Sequence, residues 1–182
     1  PGPGKVTPEW VKGMAKDAVL FACANPIPAI WPWEAKAAGA RIVATGRSDF
    51  ANQVNNSLGF PGILKGALVV RAKKITDEMA IAAAYSMANF AQKKGLNPDR
   101  IMPTMDETEV FAQEAADVAM EAIKNGVARI TTYTWQDVFD KTMADIQEAR
   151  DAMGLLMKKK FIKAPPLKLL RDAVKKAVKA VK

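Results

Sequence analysis

Residues 41–56 read RIVATGRSDFANQVNN, and this stretch decides the fold. The run 41–45 is of the type found in a strand buried on both faces of a parallel sheet, since it offers no alternating polar face. It passes at Gly46 into a polar loop that carries three asparagines, a glutamine, an arginine and an aspartate within residues 46–56. A buried strand that ends in a dense polar loop indicates an α/β domain with a ligand edge.

A second strand of the same type precedes this stretch, at residues 18–23. It ends in the turn 24–28, where Pro26 and Pro28 prevent the strand from continuing. A short helix capped by Thr7 comes before it, and another helix, from about residue 32 to 38, follows it. The order helix, strand, helix, strand with short connections predicts an α/β fold with parallel strands.

The chain after about residue 60 is predicted to be helical, and each helix has its own start signal. These are proline for a helix over 61–71, Thr76 for one ending near Gly95, an Asp106/Glu109 capping box for one ending at Gly126, and Thr134 for a fourth. The pair Pro165-Pro166 then separates a last amphipathic segment, whose apolar stripe comprises Leu167, Leu170, Val174, Val178 and Val181.

The charge is concentrated at one end of the chain. The net charge is +8, but residues 158–182 alone carry +9, so the remainder is nearly neutral. A nucleic-acid partner is therefore not expected, and the tail has no aromatic residue after Phe161 for base stacking. The basic tail is expected to be a helix that packs its apolar stripe on the body or on another subunit.

Composition excludes several classes of function. The chain has no histidine, which excludes histidine-based triads and histidine-bound metals. Cys23 is the single cysteine, so there is no intrachain disulfide. No apolar run reaches the roughly 20 residues of a membrane helix, and no secretory signal opens the chain. A reducing, cytoplasmic compartment without a membrane partner is the expectation.

The polar loops after the two strands are the candidate site, because ligands of open α/β sheets bind beyond the carboxyl ends of the strands. Amide side chains both donate and accept, so they suit a carboxamide, a carboxylate or a hydroxyl. From composition alone, the more common role of such side chains is only to cap turns and to satisfy the loop backbone. Arg47 and Asp49 could bind a ligand or form an internal ion pair. The acids 106, 107 and 109 are better explained by a charged helix start than by a metal.

Two motifs together resemble one family. The run 21–28, FACANPIP, resembles the strand end F-A-x-A-N-P-x-P of bacterial and archaeal malic enzymes. The run 43–56 is similar to that family's V-A-T-G-R-S-D-F-P-N-Q-V-N-N, and residues 60–68 continue in register. The resemblance covers roughly residues 3–130. It departs from the family at Ala29, Ala51 and Gly59, none of which is a named polar contact.

The resemblance implies the fold class and its divisions. The chain is expected to be α/β: half of a Rossmann-like nicotinamide-binding domain with short parallel strands, followed by a predominantly helical carboxyl-terminal region. The expected divisions are residues 1–130 for the carboxyl-terminal half of the NAD(P)-binding domain, 131–164 for a helical extension and 165–182 for the basic tail helix.

The resemblance also implies a function. Malic enzymes oxidise malate with NAD or NADP and decarboxylate the product to pyruvate and CO₂, aided by Mg²⁺ or Mn²⁺. Carried over, the family's substrate contacts are Asn25, Asn55 and Asn56, and its nicotinamide contacts are Asn25 and Asn55. The acid–base pair, the metal ligands and the Gly-rich dinucleotide turn lie upstream in the family. This chain is therefore expected to hold no catalytic residue, to need that missing amino-terminal portion and to be inactive alone.

The family is commonly dimeric, so a homodimer is implied for the parent enzyme. The sequence does not distinguish NAD from NADP. One alternative is a non-enzymatic interaction module that uses the basic carboxyl-terminal helix. Another is an amino-acid dehydrogenase with a similar half-domain, against which the long loop match argues.

Overall fold

The computed structural model describes residues 2–163 and 166–181. The chain divides into two compact units, residues 1–143 and 144–182. The described elements, in chain order, are α1 (Pro8–Lys12), β1 (Val19–Ala22), α2 (Pro32–Ala37), β2 (Ile42–Thr45), α3 (Asn56–Val69), α4 (Asp77–Lys93), α5 (Glu109–Lys124), α6 (Trp135–Lys158) and α7 (Leu167–Val181). The predicted divisions after residues 130 and 164 stay predictions.

The sheet of the first unit consists of β1 and β2, which run parallel with Val19 opposite Ile42 and Ala22 opposite Thr45. The connection between them passes through α2, as expected for a parallel crossover. Because the strands are parallel and in this register, both end at the same edge of the sheet. The two polar loops predicted as a site therefore begin side by side.

The two strands differ in burial. Val43, Ala44 and Thr45 of β2 are at most 2% exposed, which confirms the prediction of a strand buried on both faces. The same prediction is wrong for β1, where Val19 is 46% and Phe21 50% exposed. In the described part of the chain β1 pairs only with β2, and these two apolar side chains are left half exposed.

The main core of the first unit lies among α3, α4, α5 and the start of α6. It is built mostly from alanine and valine together with Met79, and includes Ala67, Val70, Ala83, Ala115, Val118, Ala119 and Val138. Several helix starts confirm the predicted caps. The hydroxyl of Thr76 accepts from the backbone N–H of Met79, and Thr134 and Asp137 accept from each other's backbone N–H.

Two predicted helix starts are wrong, each for a local reason. α3 begins at Asn56 rather than at Pro61, because the Asn55 side chain caps it and Pro61 lies inside the helix. α5 follows Thr108 with no side-chain cap, so Asp106 and Glu109 form no capping box. The carboxylate of Glu107 instead accepts from the backbone N–H of Thr104 and from Arg100.

The second unit contains most of α6 and the whole of α7. The predicted amphipathic tail helix is confirmed, and the side chains of Leu167, Leu170, Val174 and Val178 are all exposed. Pro165 of the predicted break and the side chain of Val181 lie outside the described residues. Among the helices described, none has both the length and the apolar character to cross a membrane.

Candidate functional site at the carboxyl edge of the sheet

The turn after β1 carries Asn25. The chain leaves β1 through buried Ala24, and the Asn25–Pro26 peptide bond is cis. Beyond the turn Ile30 is 2% exposed, and the Ala29 carbonyl accepts from the backbone N–H of Val6 at 3.1 Å. The turn is thus anchored on both sides, while the side chain of Asn25 itself is exposed.

The loop after β2 folds back onto the end of its own strand. The backbone N–H of Val54 donates to the Thr45 carbonyl at 2.7 Å, and that of Thr45 donates to the Asn52 carbonyl at 3.3 Å. The backbone N–H of Arg47 donates to the hydroxyl of Thr45, which is fully buried, at 3.2 Å. These bonds tie the middle of the loop to the strand.

Gly46 is where the two loops meet. A Cβ atom at this position would lie 2.6 Å from Nδ2 and 3.1 Å from Oδ1 of Asn25, closer than van der Waals contact permits. Glycine is therefore required for the Asn25 amide to lie against the start of the second loop. The structure brings together the motifs that the sequence predicted as one site.

Asn55 has a structural role as well as a predicted ligand role. Its Nδ2 donates to the Gly46 carbonyl at 2.9 Å, and its Oδ1 accepts from the backbone N–H of Ser57 at 3.0 Å. The amide thereby caps α3 and fixes the first residue of that helix, Asn56, beside the loop. Within the described residues, the exposed side chains of Asn25 and Asn56 have no hydrogen-bond partner.

This arrangement suits an anionic or amide-bearing ligand. Asn56 is the first residue of α3, where backbone N–H groups and the helix dipole favour negative charge. The amide of Asn25 lies against Gly46, to whose carbonyl the cap residue Asn55 is bonded. Asn55 retains one N–H and one lone pair of its amide for a ligand.

Asn52 is not among the residues that the sequence predicts for the site, although it is the most buried side chain of the loop. It is 6% exposed, and its Nδ2 donates to the carbonyls of Val43 and Pro98 at 3.2 and 2.8 Å. Its Oδ1 accepts from the backbone N–H of Ile101 at 2.8 Å. No local pattern signals this role, because its partners near residue 100 are distant in sequence.

Arg47 and Asp49 form the internal ion pair, one of the two alternatives that the sequence left open. The guanidinium Nε and Nη2 donate to the two carboxylate oxygens at 2.8 and 2.6 Å. The hydrogen bond from Arg47 lowers the pKa of Asp49, and the bond to Asp49 raises that of Arg47. The pair therefore stays ionised, and neither charge is left to attract a ligand strongly.

Aromatic rings surround this ion pair. Trp31 and Trp33 stack with ring centroids 4.7 Å apart, and Phe50 lies about 6 Å from both. The guanidinium of Arg47 lies 5.8 Å from the Trp31 ring and 5.7 Å from the Phe50 ring. The rings of Trp31 and Phe50 therefore lie against the guanidinium of Arg47.

The described residues do not by themselves form a metal centre. They contain no group of three or more Cys, Asp or Glu side chains that could hold an ion. Asp49 is paired with Arg47, and Glu107 is paired with Arg100 at 2.7 Å. A cleft of about 380 Å³ lies between residues 48–53 and 99–106, but Asn25, Asn55 and Asn56 do not line it.

The chain is similar to proteins of one known family, and the match includes both loops of this edge. Residues 6–125 match the family model described as the malic enzyme NAD-binding domain. The chain is 48% identical to the bifunctional malic/malolactic enzyme of Bacillus subtilis over 139 residues, which is 76% of this chain and 34% of that protein. It is 45% identical to the NAD-dependent malic enzyme of Geobacillus stearothermophilus, over 70% of this chain and 26% of that protein.

The chain is also similar to solved structures of malic enzymes. The chain is similar to the malic enzyme of Entamoeba histolytica, with a TM-score of 0.96 and 58% identity over 100% of this chain and 37% of that one. For the malic enzyme of Pyrococcus horikoshii the TM-score is 0.81 at 48% identity, over 87% of this chain and 36% of that one. The chain thus spans about a third or less of the length of these relatives. The resemblance and the partial Rossmann-like fold class expected from sequence are confirmed.

Proposed function

Because the chain belongs to the malic enzyme family through its NAD-binding domain, we propose that it is the carboxyl-terminal part of an enzyme that oxidatively decarboxylates malate to pyruvate and CO₂ with NAD or NADP. The observation that carries this proposal is the pairing of Asn25 with the loop that ends in Asn55 and Asn56, at one edge of the sheet. We further propose that the enzyme is a cytoplasmic homodimer.

The proposed roles follow from the hydrogen bonds at this edge. Asn25 and Asn56, whose amides lack partners among the described residues, would bind the malate carboxylates, and Asn25 would also bind the nicotinamide carboxamide. Asn55 would use its remaining N–H and lone pair on substrate and cofactor while it fixes Gly46 and the start of α3. A bound oxidised nicotinamide would accept the hydride from malate. Neutral amides orient both partners without competing for a cation.

The divalent metal that the family implies does not fit the described residues, which contain no cluster of acidic or thiol ligands for it. We therefore assign no step through a metal to this chain. A Mg²⁺ or Mn²⁺ site, like the acid–base pair, is proposed to lie on a portion of the enzyme that precedes residue 1.

The exposed face of β1 supports the proposal that another portion of the enzyme precedes residue 1. Parallel sheets are normally covered on both faces and rarely have only two strands, yet Val19 and Phe21 are half exposed. The preceding portion of the enzyme is expected to cover this face. Alone, the chain is expected to show no malate oxidation, whichever nicotinamide cofactor and metal are added.

The test is an assay of malate-dependent NAD⁺ or NADP⁺ reduction by the intact enzyme, with native mass spectrometry to establish which polypeptides are present. The variants Asn25→Ala and Asn56→Ala are each expected to lower kcat/KM about 100-fold. Asn89→Ala, which removes an exposed asparagine of α4, is the matched control. Unchanged kcat/KM in both site variants would refute the assigned roles, and inactivity of the wild-type enzyme would refute the function.

One observation favours a second candidate, an interaction module. The apolar stripe of α7 is exposed, with Leu167 71% and Val174 63% exposed, and lysines and an arginine occupy much of the rest of the helix. If the module is the main function, removal of residues 166–182 would abolish partner capture and leave malate oxidation unchanged. A loss of malate oxidation on the same truncation would instead assign the helix to the enzyme.

A further inference from the structure

Arg47 contacts both of the loops that form the candidate site. Its backbone N–H is bonded to Thr45 at the end of β2, which fixes the residue at the start of the second loop. Its Nη1 reaches across to the first loop and donates to the Pro26 carbonyl at 2.6 Å. Since Pro26 directly follows Asn25, this bond determines where the Asn25 turn lies relative to β2.

The rest of the side chain is held rigidly. Asp49 accepts from Nε and Nη2, and the rings of Trp31 and Phe50 lie within 6 Å of the guanidinium carbon. A planar fork that bonds a carboxylate through two nitrogens and a carbonyl through the third has one orientation that satisfies all three bonds. The side chain of Arg47 is 31% exposed, so these bonds are partly shielded from water.

Another ion pair of the same sheet shows what an unconstrained arginine looks like. Arg41, at the amino end of β2, contacts Asp17 through one atom pair at 3.4 Å, and both side chains are more than half exposed. Pairs of that kind contribute little. The fork, the carbonyl bond and the ring contacts of Arg47 therefore distinguish it from an ordinary surface pair.

Gly46, the neighbour of Arg47, connects it to two of the predicted contacts, Asn25 and Asn55. This glycine accepts from Asn55 and lies against the amide of Asn25. A shift of Arg47 would thus move Asn25 relative to Asn55 without removing any group that touches a ligand. Its charge is satisfied by Asp49, which argues against a direct bond to a substrate carboxylate.

We infer that Arg47 is a positioning residue: together with Asp49 it locks the Asn25–Pro26 turn to the loop that ends in Asn55 and Asn56. This inference rests on the proposed function for its kinetic consequence, but not for its structural one. Lysine cannot replace arginine here, since an ammonium group lacks the planar fork.

The kinetic experiment uses the intact enzyme with Arg47→Ala, Arg47→Lys, Asp49→Asn and the double variant Arg47→Ala/Asp49→Asn. Misplacement of reacting groups by about an ångström costs on the order of 10–100-fold in kcat. We expect that loss in both arginine variants, with KM for malate changed less than threefold and Tm close to that of the control Arg41→Ala. The double variant should lose no more than Arg47→Ala, because the two residues act as one unit.

An NMR measurement separates the structural role of Arg47 from its effect on the kinetics. Side-chain amide NMR signals of Asn25 and Asn55 should shift in both arginine variants and stay in place in Arg41→Ala, with no substrate present. If those signals do not move, the lock does not exist. A raised KM with unchanged kcat in Arg47→Ala would also overturn the inference, in favour of direct substrate binding. An inactive wild-type enzyme would refute the proposed function, and the NMR result would still decide the role of Arg47.

Discussion

The loop after β2 and the interface between α3 and α5 bury polar atoms in opposite ways. In the loop, Asn52 is 6% exposed, and both atoms of its amide are hydrogen-bonded. In the helix interface, Glu114 is fully buried, and neither oxygen has a partner in the described structure. The loop is held by directional bonds that fix one geometry, whereas the interface is held by close packing, and burial there disfavours the charged form of the carboxyl group.

The close packing of the interface is the feature whose disruption should cost the most. A Cβ atom at Gly66 would lie 2.5 Å from the Ala115 carbonyl oxygen and 2.9 Å from Val118. The first of these is backbone, so α3 would have to move away from α5. We expect Gly66→Ala to lower the free energy of unfolding by about 3–4 kcal/mol, measured by urea denaturation.

Gly59 on the same helix provides the matched control. A Cβ atom there would meet only side-chain atoms of Glu114 and Met87, at an ordinary 3.7 Å. Gly59→Ala is therefore expected to stabilise the chain by about 0.5–1 kcal/mol, since glycine costs that much inside a helix. Equal effects of the two substitutions would show that the interface is not closely packed at Gly66.

The hydrogen bonds of the loop should be the next most costly to remove. Asn52→Ala leaves Ile101 N–H and the carbonyls of Val43 and Pro98 without the amide, and it places alanine at a backbone φ of 56°. We expect a loss of about 2–3 kcal/mol in the free energy of unfolding. Asn52→Gly removes the same bonds without the backbone strain, so it should lose about 1 kcal/mol less.

That comparison separates bonding from strain. If Asn52→Gly were as stable as the wild-type chain, the bonds to residues 98 and 101 would contribute nothing. Urea denaturation of both variants under one set of conditions is the measurement.

The difference between the two regions also explains what the sequence could predict. The strands, their order and the caps Thr7, Thr76 and Thr134 follow from short-range patterns, and the structure confirms them. The motifs around Asn25 and Asn55 led to one edge of the sheet, because parallel strands end together. Local chemistry was sufficient for these features.

The wrong predictions share another cause. They depend on two roles competing for one side chain, or on contacts between segments distant in sequence, and no local pattern shows either. The sequence predicts a ligand role for Asn55 and a helix start at Pro61, but the side chain of Asn55 also caps α3, which therefore begins at Asn56. The exposure of β1 depends on what lies beside the sheet, and its composition resembles that of a buried strand. Glu114 lies in α5, a helix whose charged residues would ordinarily face solvent, but Gly59 and Gly62 let α3 pack directly against its side chain.

The neutral form of Glu114 gives the smallest and most specific prediction. Burial, with a lesser contribution from the neighbouring charge of Asp117, raises the pKa of this carboxyl from 4.5 to about 8. In the folded chain the group therefore keeps its proton at pH values where it has lost it in the unfolded chain. Stability is highest below the unfolded pKa and falls as the pH rises toward the folded pKa.

Glu114→Gln removes this titration while keeping a side chain of the same shape. We expect the free energy of unfolding of the variant, relative to that of the wild-type chain, to rise between pH 4 and pH 8. The variant should be the more stable of the two by about 1–2 kcal/mol at pH 8 and the less stable near pH 4. The gain at pH 8 is smaller than the full pKa difference would give, because the buried amide is without partners and this lowers the stability of the variant by the same amount at every pH. Glu109→Gln, at the exposed start of the same helix, controls for loss of a charge from α5. A constant difference between Glu114→Gln and wild type across this pH range would mean that Glu114 is ionised in the fold, and that a cation or a bound water, rather than a proton, makes its burial tolerable.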